Sequence, residues 1–259
     1  MLHMLAAAGQ VEGRPPRWST ITRDDCLTMR TQPLTILLLY LLAVAPAVVA
    51  ADWEDLITPK LEAWEALGDG IWRVTEEGVL IGYRRPAIDA LFGTSETISR
   101  QQFDDWMGVQ SWLYTKGEYG EFDLHIEYWV RVPGNSGISI RDPTRAKFAL
   151  TQPADYTKTP AHNGYEVQVT GSSGSRNPSG SLYTFVPAKD GPQKDGEWNA
   201  FDIESRNDHI RVRVNGELVS EHPGDPDRPK TGPVGLQLHD QFNWIMFRNI
   251  RIREVSSSR

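Results

Sequence analysis

Apolar and polar residues alternate strictly through much of the second half of the chain. The segment HNGYEVQVTG at 162–171 places Tyr165, Val167 and Val169 on one side of a strand and Glu166 and Gln168 on the other. A period of two over short segments predicts half-buried β-strands. Further alternating segments are EFDLHIEYWVRV (121–132), GNSGISIRD (134–142), WNAFDIESRNDHIRVRVNGELVSEH (198–222), GPVGLQLHD (232–240) and WIMFRNIRIREV (244–255).

Turn signals separate these segments, and helical patterns are scarce. Asn215-Gly216 is a strong two-residue hairpin signal, and a Gly/Ser-rich loop at 171–180 precedes a further predicted strand, SLYTFV at 181–186. One short helix is predicted within SETISRQQFDDWMG, 95–108. Many short strands with few helices predict an all-β antiparallel sandwich or jelly roll, which forms a single domain over 51–259.

The N-terminal region has the pattern of a targeting signal. Residues 29–50, MRTQPLTILLLYLLAVAPAVVA, begin with one arginine, continue as an apolar stretch and end in small residues. This pattern predicts a secretory signal peptide cleaved after Ala50. A transmembrane anchor is the competing interpretation, but the apolar core is short and Pro46 interrupts it. Residues 1–28 show no periodic pattern, and we interpret them as an extension that precedes the true start at Met29.

Composition narrows the classes of function. A protein with a net charge of −7 is not attracted electrostatically to a phosphate backbone, so nucleic-acid binding is not expected. The single cysteine, Cys26, precedes the apolar stretch, so the mature chain has no thiol for disulfides, catalysis or thiolate metal sites. An exported protein without disulfides suits the periplasm or exterior of a bacterium. We therefore expect a secreted or periplasmic protein that does not span the membrane once the signal peptide is removed.

The non-core positions of four predicted strands carry carboxylate, amide, guanidinium and imidazole groups. This mixture suits a polyhydroxylated ligand on the concave face of a sheet, such as an oligosaccharide or glycoside. An ordinary solvated outer face is the alternative, because alternation does not say which strands are neighbours. The residues are Asp123, His125, Glu127, Ser139, Arg141, Glu166, Gln168, Gln237 and His239, with Asn135, Tyr183, Trp198 and Trp244 nearby in sequence.

Three other chemistries have weaker signals. Glu121, Asp123 and Glu127 are similar to the E-x-D-x-E strand of jelly-roll endoglucanases, but His125 stands where the second glutamate should be. The histidines lack any metal-ligand spacing, and no G-x-S-x-G nucleophile motif is present. No cofactor is expected. The acidic loop EHPGDPDRPKTG, 221–232, is either a structural Ca²⁺ site or a solvated turn.

Taken together, the segments GEYGEFDLHIEYWV, GNSGISIR, GYEVQV, GSLY, GEWNAFDIESRNDHIRVRVNGELV, GPVGLQLHD and FRNIRI resemble the 3-keto-disaccharide hydrolase domain family. The resemblance covers roughly residues 72–255, with the motifs in the family's order. It implies a concanavalin A-like jelly roll and the hydrolysis of glycosides whose sugar carries a ketone at C3. Such a ketone acidifies the C2 proton, so that a base can form an enolate that expels the glycosidic oxygen.

The resemblance also implies roles for individual residues. Glu166 would be the general base, Arg141 would polarise the C3 oxygen, and His239 would act as an acid or orienting partner. An alternative for Arg141 is an ion pair with Glu166 that locks adjacent strands. The residues expected to bind substrate are Gln168, Tyr183, Asn135, Glu127, Trp198 and Trp244, and no metal ligand is expected.

Two departures from the family pattern keep a second function open. Many members carry an aspartate soon after the G-Y-E-x-Q strand, where this chain reads VTGSSG, 169–174. The histidine segment reads L-H-D rather than H-G. A non-catalytic carbohydrate-binding jelly roll is therefore the alternative to an enzyme, and an ordinary glycosidase or lyase is a third possibility.

Overall fold

The computed structural model describes residues 52–85, 97–171, 174–189 and 191–255. The predicted signal peptide and the preceding extension lie outside the described residues. The strands are β1 (Glu54–Asp55), β2 (Trp64–Leu67), β3 (Ile71–Val74), β4 (Leu80–Tyr83), β5 (Ser111–Thr115), β6 (Phe122–Val130), β7 (Asn135–Ile140), β8 (Tyr165–Thr170), β9 (Asn199–Arg206), β10 (His209–Val214), β11 (Glu217–His222), β12 (Val234–Leu238) and β13 (Trp244–Glu254). Helix α1 spans Arg100–Met107, and the short turn α2 spans Pro160–Asn163.

These strands form two antiparallel sheets. The large sheet has the order β11-β10-β9-β6-β13-β4-β3, with β1 also paired to β13. The small sheet has the order β2-β5-β12-β7-β8. Each sheet pairs strands that are distant in sequence, as in a sandwich. The prediction of an all-β antiparallel sandwich is confirmed. No helix in the described part of the chain is long and apolar enough to cross a membrane.

The core lies between the two sheets and follows the alternation of the sequence. In β6, buried and partly exposed residues alternate from Phe122 to Val130. Ile138 and Ile140 of β7 and Val167 of β8 face the same core and are fully buried. Burying each such side chain contributes about 1.5–3 kcal/mol, so the inward face of each strand is strongly specified.

Local turn chemistry agrees with the sequence at the β10–β11 hairpin and not at 181–186. Asn215 and Gly216 both adopt positive φ, 50° and 86°, as a type I′ turn requires.

The prediction that SLYTFV, 181–186, forms a strand is wrong. Residues 182–186 instead form a tight loop, in which the backbone N–H of Val186 donates to the carbonyl of Leu182. Thr184 takes a φ of 71° at the tip of this loop, a value that no strand allows.

The outer face of the small sheet is only partly covered. The segment 141–163, which connects β7 to β8, packs Ala146 and Ala149 against Trp112 and Tyr114 of β5. These two rings are stacked, with centroids 5.5 Å apart. The segment therefore closes the β5 side of the face and leaves the β7 and β8 side open as a cavity.

Candidate functional site

Strand register brings the polar side chains of β8 and β7 together on the outer face of the small sheet. Glu166 lies opposite Ser139, Gln168 opposite Gly137 and Thr170 opposite Asn135. Strand β12 runs along the other side of β7 and adds Gln237 to the same face. Three of the four strands predicted to form a polar face are thus neighbours.

A cavity of about 600 Å³ opens on this face. The sheet forms its floor, and the segment 141–163 and the residues around 174–184 form its rim. Among the described residues, neither lysine nor arginine lines it, which suits a neutral polar ligand better than an anion. The lining residues are Gln110, Gly134, Asn135, Tyr156, Thr159, His162, Glu166, Gln168, Thr170, Gly174, Ser175, Asn177, Tyr183, Thr184, Gln237 and His239.

Glu166 is the buried acid of the cavity, with 6% of its surface exposed. Its side chain lies directly over Gly137, because a Cβ built on that glycine would be 2.4 Å from Glu166 Oε1. Burial, followed by the negative charge of Asp142, raises the pKa of Glu166 from 4.5 to about 8. The carboxyl group is therefore mostly protonated at neutral pH and can donate or accept a proton near pH 8.

Asp142 begins the segment that packs on Tyr114 of the outer face, and it has no exposed surface. Its Oδ1 accepts hydrogen bonds from the backbone N–H and the hydroxyl of Thr144, at 2.9 and 2.7 Å. Its Oδ2 accepts from the backbone N–H of Ala146 at 2.8 Å and from the Tyr114 hydroxyl at 3.3 Å. These donors satisfy both oxygens of the buried carboxyl group.

Amide side chains on the floor offer both donors and acceptors to a ligand. Gln168 Nε2 donates to Asn135 Oδ1 at 2.7 Å, which fixes the orientation of both amides. Gln237 is 1% exposed, and its Oε1 has no hydrogen-bond partner among the described residues. A buried acceptor without a partner costs about 1–3 kcal/mol. Tyr183, half exposed at the rim, adds a phenol group.

Two histidines of the described residues line the cavity. His239 follows β12, as predicted, and its Nδ1 lies 3.5 Å from Asp240 Oδ2. His162 lies in α2, where its Nδ1 is 2.9 Å from the Thr159 hydroxyl oxygen. Burial lowers the pKa of His162, so this imidazole is largely neutral at pH 7. The sequence analysis missed His162, although Pro160 before it and Gly164 after it are typical of a helical turn that leads directly into β8.

The predicted placement of Arg141 beside Glu166 is wrong. Arg141 has a φ of 58°, so the chain leaves the strand at this residue and the alternation of β7 stops. Its guanidinium is buried and donates to the backbone carbonyls of Asn207 and Gly120, at 2.6 and 2.7 Å. Neither a role at the cavity nor the alternative ion pair with Glu166 is compatible with this geometry.

Glu127, Trp198 and Trp244 are also absent from the cavity. Glu127 belongs to β6 of the large sheet and accepts a hydrogen bond from Arg248 Nε at 2.6 Å. The same guanidinium stacks on Trp198, with Cζ 4.2 Å from the ring centroid. Trp244 stacks on another indole, Trp129, on the outer side of that sheet. The expectation that these three residues bind substrate in the same site is therefore wrong.

Asp123 and His125 share that outer face of β6. Asp123 pairs with Arg206 and Arg253, and His125 Nδ1 lies 2.7 Å from Asp202 Oδ1. This ladder of ion pairs is the solvated face that the sequence analysis left open as the alternative. The two-carboxylate pattern of this strand lies on the opposite side of the sandwich from the cavity.

The described residues contain no group of three or more His, Cys, Asp or Glu side chains that could hold a metal ion. In the acidic loop 221–232, Asp225 Oδ2 lies 3.5 Å from Arg228 Nε, and Lys230 pairs with Asp208. Ion pairs within the chain therefore organise this loop.

The fold and the site define a β-sandwich protein with an amide-rich cavity on the outer face of its small sheet. The sequence profile of the 3-keto-alpha-glucoside-1,2-lyase-like domain family matches residues 52–253. The chain belongs to this family, as the resemblance in the sequence indicated. A search of curated proteins gives no match.

Solved structures share the fold. One is a structure from Parabacteroides distasonis that is named as a glycosyl hydrolase. It has 24% identity and a TM-score of 0.56, and the match covers 78% of this chain and 99% of the other chain. A second from the same organism and with the same name has 18% identity and a TM-score of 0.55, with coverages of 79% and 94%. A galectin-like protein of unknown function from Bacillus subtilis has 10% identity and a TM-score of 0.51, with coverages of 81% and 97%.

Proposed function

We propose that this protein cleaves glycosides whose sugar carries a ketone at C3, through elimination at C1 and C2 followed by addition of water. The observation that carries the proposal is Glu166, a buried carboxyl group with a pKa raised to about 8, on the floor of an amide-rich cavity. A general base that removes a proton from carbon is more effective when its own pKa is raised, because transfer of the proton from carbon to the base is then less unfavourable. Membership of the family supports the same chemistry.

The reaction needs only proton transfers by the protein. Ionised Glu166 takes the proton from C2, and the electron pair of that bond passes into an enolate on the C3 oxygen. The enolate re-forms the ketone as the C1=C2 double bond forms, and the C1–O bond breaks. The glycosidic oxygen leaves with that electron pair and receives a proton. Water then adds its hydroxyl to C1 and a proton to C2, which gives the free 3-keto sugar.

The other cavity residues have roles that follow from their chemistry. His239 is partly exposed at the rim and would supply the proton to the leaving oxygen. The amides of Gln168 and Gln237 would hold sugar hydroxyls, with Asn135 and Tyr183 at either side. Because Arg141 lies elsewhere, the charge on the C3 oxygen would be stabilised by neutral donors, such as an amide N–H or His162.

A second candidate is carbohydrate binding without cleavage. The absence of a cation from the described lining favours it, since the enolate oxygen would lack its strongest stabilising partner. In that case the carboxyl group of Glu166 would hold a sugar hydroxyl, and the amide of Gln168 would hold another.

The deciding experiment compares enzymatically 3-oxidised disaccharides with the unoxidised sugars, using the protein that begins at Ala51. Release of a 3-keto sugar from the oxidised set alone, with loss of at least about 100-fold in rate for Glu166→Gln, would support the proposal. Glu127→Gln is the matched control, because it changes the same residue type on the far sheet, and it should keep normal turnover. Binding without cleavage would establish the second candidate, and cleavage of unoxidised sugars would indicate an ordinary glycosidase.

The same proposal places the protein outside the bacterial cytoplasm. The pattern of residues 29–50 supports export with removal of the segment before Ala51. N-terminal sequencing of protein recovered from the periplasm or medium should begin at Ala51. Recovery of protein that retains residues 1–28 would contradict both the export signal and the start at Met29.

A further inference from the structure

One aromatic side chain of the cavity has no part in the proposed reaction. Tyr156 lines the cavity from the segment 141–163, and 56% of its surface is exposed. The floor of the cavity consists mainly of amide and carboxyl groups, so this ring adds an apolar surface to a polar site. A sugar needs both kinds of surface, because its edge carries hydroxyl groups and its face carries C–H bonds.

A turn fixes the backbone at Tyr156. Asp155 Oδ1 accepts hydrogen bonds from the backbone N–H and the hydroxyl of Thr157, at 3.0 and 2.6 Å. The backbone N–H of Lys158 donates to the carbonyl of Asp155 at 3.2 Å, and the N–H of Asp155 donates to the carbonyl of Phe148 at 2.9 Å. An aspartate bonded to the backbone two residues on forms an Asx turn. The side chain of Tyr156 therefore starts from a defined backbone position.

The hydroxyl end of the same ring packs against the end of α1. Gly108 follows α1, and a Cβ built on it would overlap the Tyr156 hydroxyl. The φ of Gly108 is −78°, which any residue can adopt, so glycine here serves the close approach of the phenol. Because this contact covers the hydroxyl, the exposed part of the side chain is the ring. A ring held at both ends has little conformational freedom to lose when a ligand binds.

Tyr156 lies toward the β5 end of the cavity, whereas Glu166 lies toward the β8 end. The carboxyl group of Glu166 is over Gly137 of β7. Gly108, which Tyr156 contacts, leads through Gln110 into β5, two strands away from β7. Because neighbouring strands are about 4.8 Å apart, about 10 Å separates the acid from the β5 end. One pyranose ring does not cover this distance, whereas two linked rings do.

Strand register places His239 between these two ends. Leu238 of β12 pairs with Ser111 of β5, so His239, the next residue of the chain, adjoins the start of β5. Strand β12 itself lies between β7 and β5. His239 is the residue proposed to protonate the leaving oxygen. A glycosidic oxygen beside it would have the reacting sugar on the side of Glu166 and the leaving group on the side of Tyr156.

We propose that Tyr156 is the aromatic platform of a second sugar subsite, which holds the leaving-group sugar of a disaccharide. The C–H face of that sugar stacks on the exposed ring, and its hydroxyl groups stay in contact with water. The assignment rests on the proposed function for which sugar occupies which end. It makes disaccharides, rather than simple alkyl glycosides, the preferred ligands of the cavity.

The test compares a ligand of one sugar ring with a ligand of two. Methyl α-glucoside and maltose are oxidised at C3, in maltose at the non-reducing sugar, and binding is measured by calorimetry on Glu166→Gln, which should consume neither. Adding Tyr156→Ala should weaken binding of the maltose derivative about tenfold and change binding of the methyl glucoside by less than about twofold. Trp53→Ala is the matched control and should change neither affinity. Trp53 is an exposed aromatic residue that stacks on Arg251 and Arg253 of the large sheet.

Gly108→Ala displaces the same ring without altering a residue that lines the cavity. The new Cβ would push on the Tyr156 hydroxyl, so affinity for the two-ring ligand should fall several-fold while affinity for the one-ring ligand holds. Adding Tyr156→Phe removes the overlapping oxygen and keeps the ring, so it should restore the affinity. A general loss of folding would give neither the selectivity nor the rescue.

Equal losses for the two ligands in Tyr156→Ala, or no loss for either, would overturn the inference. A wild type that binds unoxidised or oxidised maltose no more tightly than the matching methyl glucoside would also overturn it. The proposed function has a separate readout in turnover. Turnover that depends on Glu166, with no selective effect of Tyr156→Ala, would refute the second subsite alone. A selective effect on binding in a protein without turnover would support the subsite and refute the enzyme.

Discussion

Replacement of Glu166 by glutamine should remove the contribution of this residue to the fall in the free energy of unfolding as pH rises. In the folded protein the pKa of Glu166 is about 8, whereas an unperturbed glutamate has a pKa of 4.5. Between these values the folded state binds the proton more tightly than the unfolded chain, so the free energy of unfolding falls with pH. At about 1.4 kcal/mol per pKa unit, the full change reaches at most about 5 kcal/mol. Many domains are stable by only about 5–15 kcal/mol in total.

The assay is denaturation by urea, followed by tryptophan fluorescence, at several pH values between 4 and 9. Below pH 4.5 Glu166 is protonated in both states, and the two proteins should differ by a constant amount. As the pH rises to 8, the stability of Glu166→Gln relative to the wild type should increase by several kcal/mol, and above pH 8.5 it should level off. Glu217→Gln, at an exposed position of the β10–β11 hairpin, is the control and should follow the wild type.

A difference between Glu166→Gln and the wild type that stays constant from pH 4 to 9 would refute this reasoning. It would mean that Glu166 ionises as easily in the cavity as in water. The role of Glu166 as a base near pH 8 would then lose its physical basis.

Three further changes test the geometry of the site. Gly137→Ala should displace the Glu166 carboxyl group, because the new Cβ would be 2.4 Å from Oε1, and turnover or ligand affinity should fall about 10- to 100-fold. Gln237→Leu should leave thermal stability unchanged or raise it by about 1 kcal/mol, since it removes a buried acceptor without a partner, while calorimetry should show about tenfold weaker sugar binding. Arg141→Met should cost about 1–3 kcal/mol of stability by denaturation, because the carbonyls of Asn207 and Gly120 lose the donor that joins them, and should leave ligand affinity unchanged.

The core could be predicted from the sequence because a strand has a strict period of two. The inward residues of 162–171, Tyr165, Val167 and Val169, are all buried, and so are the inward residues of β7 and β12. The same period predicted that Glu166 and Gln168 face away from the core. Burial of one face specifies the other face automatically, so these residues needed no knowledge of the partner strands.

The pairing of strands was not accessible to the same reasoning. Glu127 of β6 and Glu166 of β8 both alternate against core residues, yet β6 belongs to the large sheet and β8 to the small one. Their outward faces therefore lie on opposite sides of the sandwich. Sheet membership depends on contacts between residues far apart in sequence, and an alternating pattern looks the same in either sheet.

Arg141 shows where a local signal was present and was not used. The alternation of β7 predicts that Arg141 follows Ser139 onto the outer face, but Asp142-Pro143 comes next. A residue pair of this type favours the start of a turn, which ends a strand. The left-handed φ of Arg141 turns its side chain toward the carbonyls of Gly120 and Asn207. A long cation at the end of a strand is as well suited to joining loops as to binding a ligand.

The concave shape of the site depends on residues that lack side chains. Gly137 and Gly235 occupy outward positions of β7 and β12, where glycine normally weakens a strand. The carboxyl group of Glu166 lies over Gly137, and the ring of Tyr114 lies 2.4 Å from where a Cβ of Gly235 would be. Larger residues at these two positions would lift the acid and the tyrosine off the sheet and fill the floor of the cavity. The strands therefore give up local stability at two points, and the space gained keeps Glu166 buried near Asp142, where its pKa is raised.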